Sequence, residues 1–133
     1  MKKILAMTLA ALVWTGLIGF TQRAFAGEKI GIVICSDDAE TDFNALRFAN
    51  FSLKKGDKVS IFFLGKGVLG AQKTEKPFDV KGKTEDFMNA GGKVYACKVC
   101  LKLHNLEPSK TCPVSTMEDL YSLVTSNTKV LTF

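Results

Sequence analysis

Histidine is almost missing from this chain, with His104 alone, and tryptophan (one residue) and proline (three) are nearly as scarce. With one histidine, no serine–histidine–acid arrangement can be convincingly assembled, so hydrolase chemistry has no support. No H-x-x-x-H pair and no second C-x-x-C are present to make a strong zinc signature. Also lacking is any basic run interleaved with aromatics, which argues against nucleic-acid binding. After residue 26 no stretch is apolar enough to cross a bilayer. No internal repeat or low-complexity segment appears.

What is there begins with an export pattern. Lys2 and Lys3 precede an uncharged apolar run from Ile4 to Phe20, and Ala24-Phe25-Ala26 has the small–x–small form of a signal peptidase site. The expectation is a signal peptide over residues 1–26, a mature domain over 27–133, and a periplasmic protein free of the membrane after cleavage. A retained anchor is the alternative. Lys2, Lys3 and Arg23 account for three of the 18 basic residues, which leaves 15 against 13 acids in the mature part. The basic pI is therefore partly a property of the leader. The remaining length suits one domain with one core.

Along that domain two periodicities alternate. "KIGIVICS" and "KVSIFFLG" are β-branched or aromatic runs of the kind that form strands buried on both faces. Between them, Asn44, Arg47, Asn50 and Lys54 recur at helical steps opposite an apolar face of Phe43, Leu46, Phe48, Ala49 and Leu53. Gly56 ends that helix after Lys54 and Lys55. A loop and a helix ending at Ala90 follow, the helix starting between Asp79 and Thr84. "KVYA" is a third strand. Ser115 and Glu118 read as a capping box for a helix whose Met117, Leu120, Tyr121 and Val124 share one face. "KVLTF" is a last strand. This alternation predicts a single compact α/β domain, a mostly parallel sheet flanked by helices with flavodoxin-like layering.

The four cysteines carry the chemistry. Open parallel sheets form sites outside the carboxyl ends of their strands, where Cys35, Cys97 and Cys112 are all expected. Cys97 is the best placed, just past a strand and at the start of a short helical segment. A thiolate is favoured at such a position, and Lys98, Lys102 and His104 add positive potential. Cys100, one turn on, has the spacing of a resolving thiol. Three alternatives stay open at this point: a static disulfide loop, a tetrahedral metal site of Cys97, Cys100, His104 and Cys112, and a redox-active dithiol.

Two further patterns are weaker. "GKGVLG" (Gly65–Gly70) matches G-x-G-x-x-G, but it follows the second strand and precedes a loop-like stretch, so the glycines read as turn geometry and not as a nucleotide site. Asp37 and Asp38 read as an N-cap and a solvated turn. No cofactor is expected.

Taken together, "DAETDFNALRFANFSLKKGDKVSIFFLGKGV", "GGKVYACKVCLKL", "CPVSTMEDLYSLV" and "KVLTF" resemble the DsrE/DsrF-like family, which includes the small YchN-type proteins. The likeness spans Lys29 to Phe133, with "ACxxCL…CP" similar to a sub-group. It implies a compact α/β fold, homo-oligomers (trimers or hexamers), and a cysteine after a sheet strand that accepts a persulfide. Cys97 matches that position. Cys100 and Cys112 lie outside the minimal relay pattern, and export departs from the cytoplasmic relay members. Combined with the export pattern, the reading is a periplasmic sulfur carrier or sulfurtransferase-like protein, with Cys97 bearing the persulfide, Cys100 its resolving partner and Cys112 accessory. Its partners would be sulfur donor and acceptor proteins or small sulfur species. A thiol–disulfide oxidoreductase using Cys97 and Cys100, and a non-enzymatic oligomeric binding protein whose cysteines form Cys97–Cys100 and Cys35–Cys112 bridges or hold a metal, are the rivals.

Overall fold

The structure, a computed structural model, describes residues 27–133. The expected signal peptide lies outside the described residues. Five strands, β1 (Lys29–Ile34), β2 (Lys58–Phe63), β3 (Lys93–Cys97), β4 (Val114–Ser115) and β5 (Lys129–Thr132), alternate with helices. These are α1 (Ala39–Lys54), α2 (Gly67–Gly70), α3 (Val80–Asn89), α4 (Lys98–Leu103) and α5 (Met117–Ser126). The sheet order is β4-β3-β2-β1-β5 and every pairing is parallel. The α/β layering read from the sequence is the observed one.

Parallel strands require covered faces, and the two faces here are covered unequally. Residues of even number on β1 and β3 and odd number on β2 (Ile32, Ile61, Ala96) join the larger core with α1 and α3, seventeen buried residues in all. Phe63 and Phe87 are fully buried in it; truncating either to alanine would cost roughly 3–5 kcal/mol. The opposite face holds a cluster of four buried residues, Val33, Phe62, Cys97 and Leu123. Among the described helices α5 covers it with Leu120 and Leu123 and α4 adds Cys100; α5 approaches where Gly31 leaves room, for a Cβ there would stand 2.5 Å from Leu123 Cδ2.

Local chemistry sets the helix ends. Asp38 caps α1, accepting the Thr41 N–H at 2.8 Å, as its sequence position suggested. The chain leaves α1 through Lys55 and then Gly56, whose φ of +92° suits glycine. Asn50 Nδ2 donates to the carbonyls of Leu46 and Lys83, tying α1 to α3.

Several expectations are corrected. The capping box of α5 belongs to Thr116 and Asp119, one residue later than Ser115 and Glu118, because Ser115 is used in β4. The stretch after β2 is not all loop: its first residues form the single turn α2. Phe48 is exposed, while Asp42 takes a buried place on the inner face of α1. On α5 the sheet takes Leu120 and Leu123, and Met117, Tyr121 and Val124 face outward. Both stripes are apolar, and periodicity alone does not say which one the sheet receives.

Candidate functional site

The site grows from the end of β3. Cys97 is both the last residue of that strand and the N-cap of α4, and its Sγ accepts the Cys100 N–H at 3.2 Å. A free amide at a helix start normally lacks a partner; here the partner is the Cys97 sulfur. Cys97 is 7% exposed, with Leu123 and Phe62 in its cluster.

Cys100, half-buried, stands one turn along α4 and packs against both cores. Its Sγ accepts the Gly65 N–H at 3.2 Å. Burial raises the Cys100 thiol above its ordinary value, and hydrogen bonding with Cys97 raises it further, against a smaller opposing effect of the Gly65 amide. Cys100 therefore stays a protonated donor beside the Cys97 sulfur.

The other two cysteines stand apart. Register carries Ile34 to Phe63 and Phe63 to Ala96, so the next residues, Cys35, Leu64 and Cys97, share one level across three strands. Cys35 and Cys97 are thus two strand spacings apart, about 10 Å, beyond the reach of a disulfide. Cys35 is exposed, and partial desolvation raises its thiol.

Cys112 lies in the larger core, on the face of the sheet away from Cys97, fully buried. Its N–H donates to Ser109 Oγ at 3.1 Å, and burial pushes its thiol up to about 11. The Ala96 N–H bonds to the Pro113 carbonyl at 2.9 Å, fixing the Cys112 segment beside β3.

Cys35 and Cys97 share the expected rim, but of the four cysteines only Cys97 and Cys100 come into contact. All four are unbridged. A Cys35–Cys112 bridge is ruled out by the order of the sheet, which puts β1 and β4 at opposite ends of three pairings. Among the described residues no three His, Cys, Asp or Glu side chains converge as metal ligands, so the tetrahedral alternative has no site. His104 is the C-cap of α4. No helix of the described residues is long and apolar enough to cross a membrane.

Two features escaped the sequence reading, only the first of them at the thiols. Gly65, dismissed with its glycine-rich neighbours as turn geometry, turns at φ +58° and also aims its amide at Cys100. The available signal was its position, on the same sheet rim as Cys97 and one strand over. Asp42 was the second. Its carboxylate oxygens are buried with no hydrogen-bond partner, packed so tightly on Gly70 that a Cβ there would stand 1.8 Å from Oδ2. Burial pushes Asp42 up to about 7, only partly offset by Lys73, with Asp38 and Asp37 adding to the rise.

Comparison with known proteins agrees with the resemblance read from the motifs. A protein of Methanocaldococcus jannaschii described as uncharacterized protein MJ0989 is 35% identical over 100 residues, covering 71% of this chain and 88% of its own. Uncharacterized protein MK0008 of Methanopyrus kandleri is 31% identical over the same length, covering 71% and 83%. The fold matches a solved structure, a conserved protein of unknown function (BT1422) from Bacteroides thetaiotaomicron. The TM-score is 0.65 at 19% identity, over 81% of this chain and 97% of that one. The DsrE/DsrF-like family model matches residues 28–133, and the chain belongs to that family, which is associated with sulfur relay.

Proposed function

We propose that the protein is a periplasmic sulfur carrier of sulfurtransferase type, with Cys97 as the persulfide-bearing thiol. The observation that carries this is the Cys97 sulfur at the carboxyl end of β3, accepting the Cys100 amide at the first turn of α4. In the loading step the Cys97 thiolate attacks the outer sulfur of a donor persulfide. A new S–S bond forms on Cys97 as the donor's S–S bond breaks, and the donor leaves as a thiolate. An acceptor nucleophile then takes the outer sulfur and restores the Cys97 thiolate, with no net redox change.

Cys100 gives the site a second outcome. Its attack on the inner sulfur of the Cys97 persulfide would form the Cys97–Cys100 disulfide and release hydrosulfide. Its raised proton affinity slows this step, since a protonated thiol is a poor nucleophile, and so preserves the loaded state. The same pair supports the second reading, thiol–disulfide exchange, because three-residue spacing on one helical turn is the spacing such couples use. Cys112 belongs to this function as a packing residue that holds the β3 edge.

The donor and acceptor are proteins or small sulfur species, and the working form is a homo-oligomer, trimeric or hexameric. The exposed apolar side chains on α1 and α5 support an assembled state. Intact mass after polysulfide treatment tests the proposal. A reductant-labile gain of about one sulfur atom, lost in Cys97→Ser and kept in Cys35→Ser, is the expected result. A two-hydrogen deficit with no sulfur gain would put thiol–disulfide exchange in its place.

A further inference from the structure

A cavity of about 780 Å³ lies away from the thiols. It runs beside α5 along the thinly covered face of β2 and β3, toward the amino ends of the strands. Its volume falls in the range of small-molecule sites.

Three exposed lysines line it, each the first residue of its strand: Lys29, Lys58 and Lys93. Alternation puts all three on the α5 face, because Lys29 is two residues from Gly31, Lys58 two from Ser60, and Lys93 two from Tyr95. Register brings them together. Lys29 pairs with Lys58 across adjacent strands, and Lys93 pairs with Ser60. The Cα atoms of Lys29 and Lys58 are thus about 5 Å apart, and those of Lys58 and Lys93 about 8 Å. Side chains of this length can meet over one ligand group.

None of the three has an ion-pair partner among the described residues, where the two pairs are Lys83–Asp86 and Lys129–Glu28. Two acids, Asp57 and Asp119, also line the cavity, each holding a backbone amide and keeping its charge. Asp57 accepts the Glu28 N–H at 2.8 Å, and Asp119 accepts the Thr116 N–H at 2.8 Å in the α5 capping box. The three lysines outnumber the two acids of the lining, so the cavity carries a net positive charge that favours an anion. The walls above are suited to the rest of a small molecule, with Tyr95 and Leu123 apolar and Ser122 a hydroxyl donor.

We propose that this cavity binds a small organic molecule carrying a multivalent oxyanion of the phosphate or sulfate class, held by Lys29, Lys58 and Lys93. The site is separate from the thiol pair and does not depend on the sulfur-carrier reading.

The probe is pyrophosphate, titrated into isotopically labelled protein at constant ionic strength and followed by amide NMR shifts. Saturable shifts confined to residues 58–60, 93–95 and 122–127 are expected. The Lys29→Gln/Lys58→Gln/Lys93→Gln variant should bind about tenfold more weakly or worse. A Lys81→Gln/Lys98→Gln/Lys102→Gln control and Cys97→Ser should bind as the parent does. Pyrophosphate should also raise the parent's thermal midpoint by linkage. The unliganded triple variant should melt no lower than the parent, since it loses no ion pair. Shifts no larger than chloride gives, shifts spread over the α4 lysines, or equal binding by the triple variant would each overturn the proposal. Should the triple variant not fold, the shift map of the parent decides by itself.

Discussion

The Gly65 amide reaches from the end of β2 to the Cys100 sulfur, 3.2 Å away, so one thiol of the C-x-x-C is held by a neighbouring strand and not by its own helix. Gly65 does this at φ +58°, where side chains are strained. Gly65→Ala meets no steric obstacle, yet it should cost about 1 kcal/mol from the backbone. Any shift that withdraws the amide would raise the Cys100 thiol further. The rate of Cys100 alkylation against pH should move to higher pH in the variant, while Cys97 still loads sulfur.

Cys35 and Cys97 share a level of the sheet with Leu64 between them. Mild oxidation of the purified protein should therefore give a Cys97–Cys100 bridge and leave Cys35 free to alkylate. Peptide mapping after oxidation checks this. A Cys35–Cys97 peptide in more than trace amount would mean that β2 does not lie between them.

Asp42 makes stability depend on pH in the direction opposite to most carboxylates. Its proton is held to about pH 7 in the folded chain and lost near pH 4 in the unfolded one. Between those values the unfolded state binds fewer protons, so stability falls as pH rises from about 4 to 7, by an order of a few kcal/mol. Asp42→Asn should remove that slope. The variant should be more stable than the parent at pH 8 and gain little at pH 4, as read from denaturant midpoints across pH.

Tyr121 and Met117 project outward from α5 beside Val124. If that stripe joins subunits, Tyr121→Glu should lower the mass seen by light scattering without lowering the thermal midpoint of the separated chain. Phe51→Glu on α1 makes the same test for the other exposed apolar face.

The alternation of strands and helices was legible because β-branched runs and helical stripes differ in period, and Lys29–Ile34 and Ala39–Lys54 each carry one period cleanly. The two-residue β4 was not legible, since Val114 and Ser115 are too few to show any period and are recruited by β3 through parallel pairing. Cys97 could be placed from the strand that precedes it. Cys112 could not, because its burial depends on the tight Ser109–Cys112 turn folding against the larger core. Asp42 was hidden for a related reason: a carboxylate at a helical step from Ala45 and Ala49 looks like a polar interruption until the packing of Gly70 closes over it.

The unequal covering of the sheet has a kinetic consequence. Seventeen buried residues hold one face and four the other, so lifting α5 breaks far fewer apolar contacts than unfolding α1 and α3. Amide hydrogen exchange should then proceed at two depths, with α5 opening through local fluctuations and α1 protected up to the global limit. Cys97 belongs to the shallow side. Its sulfur gains access to large partners in the same motion that leaves the main core intact, and the lifetime of that opening would set the pace of any exchange at the thiol.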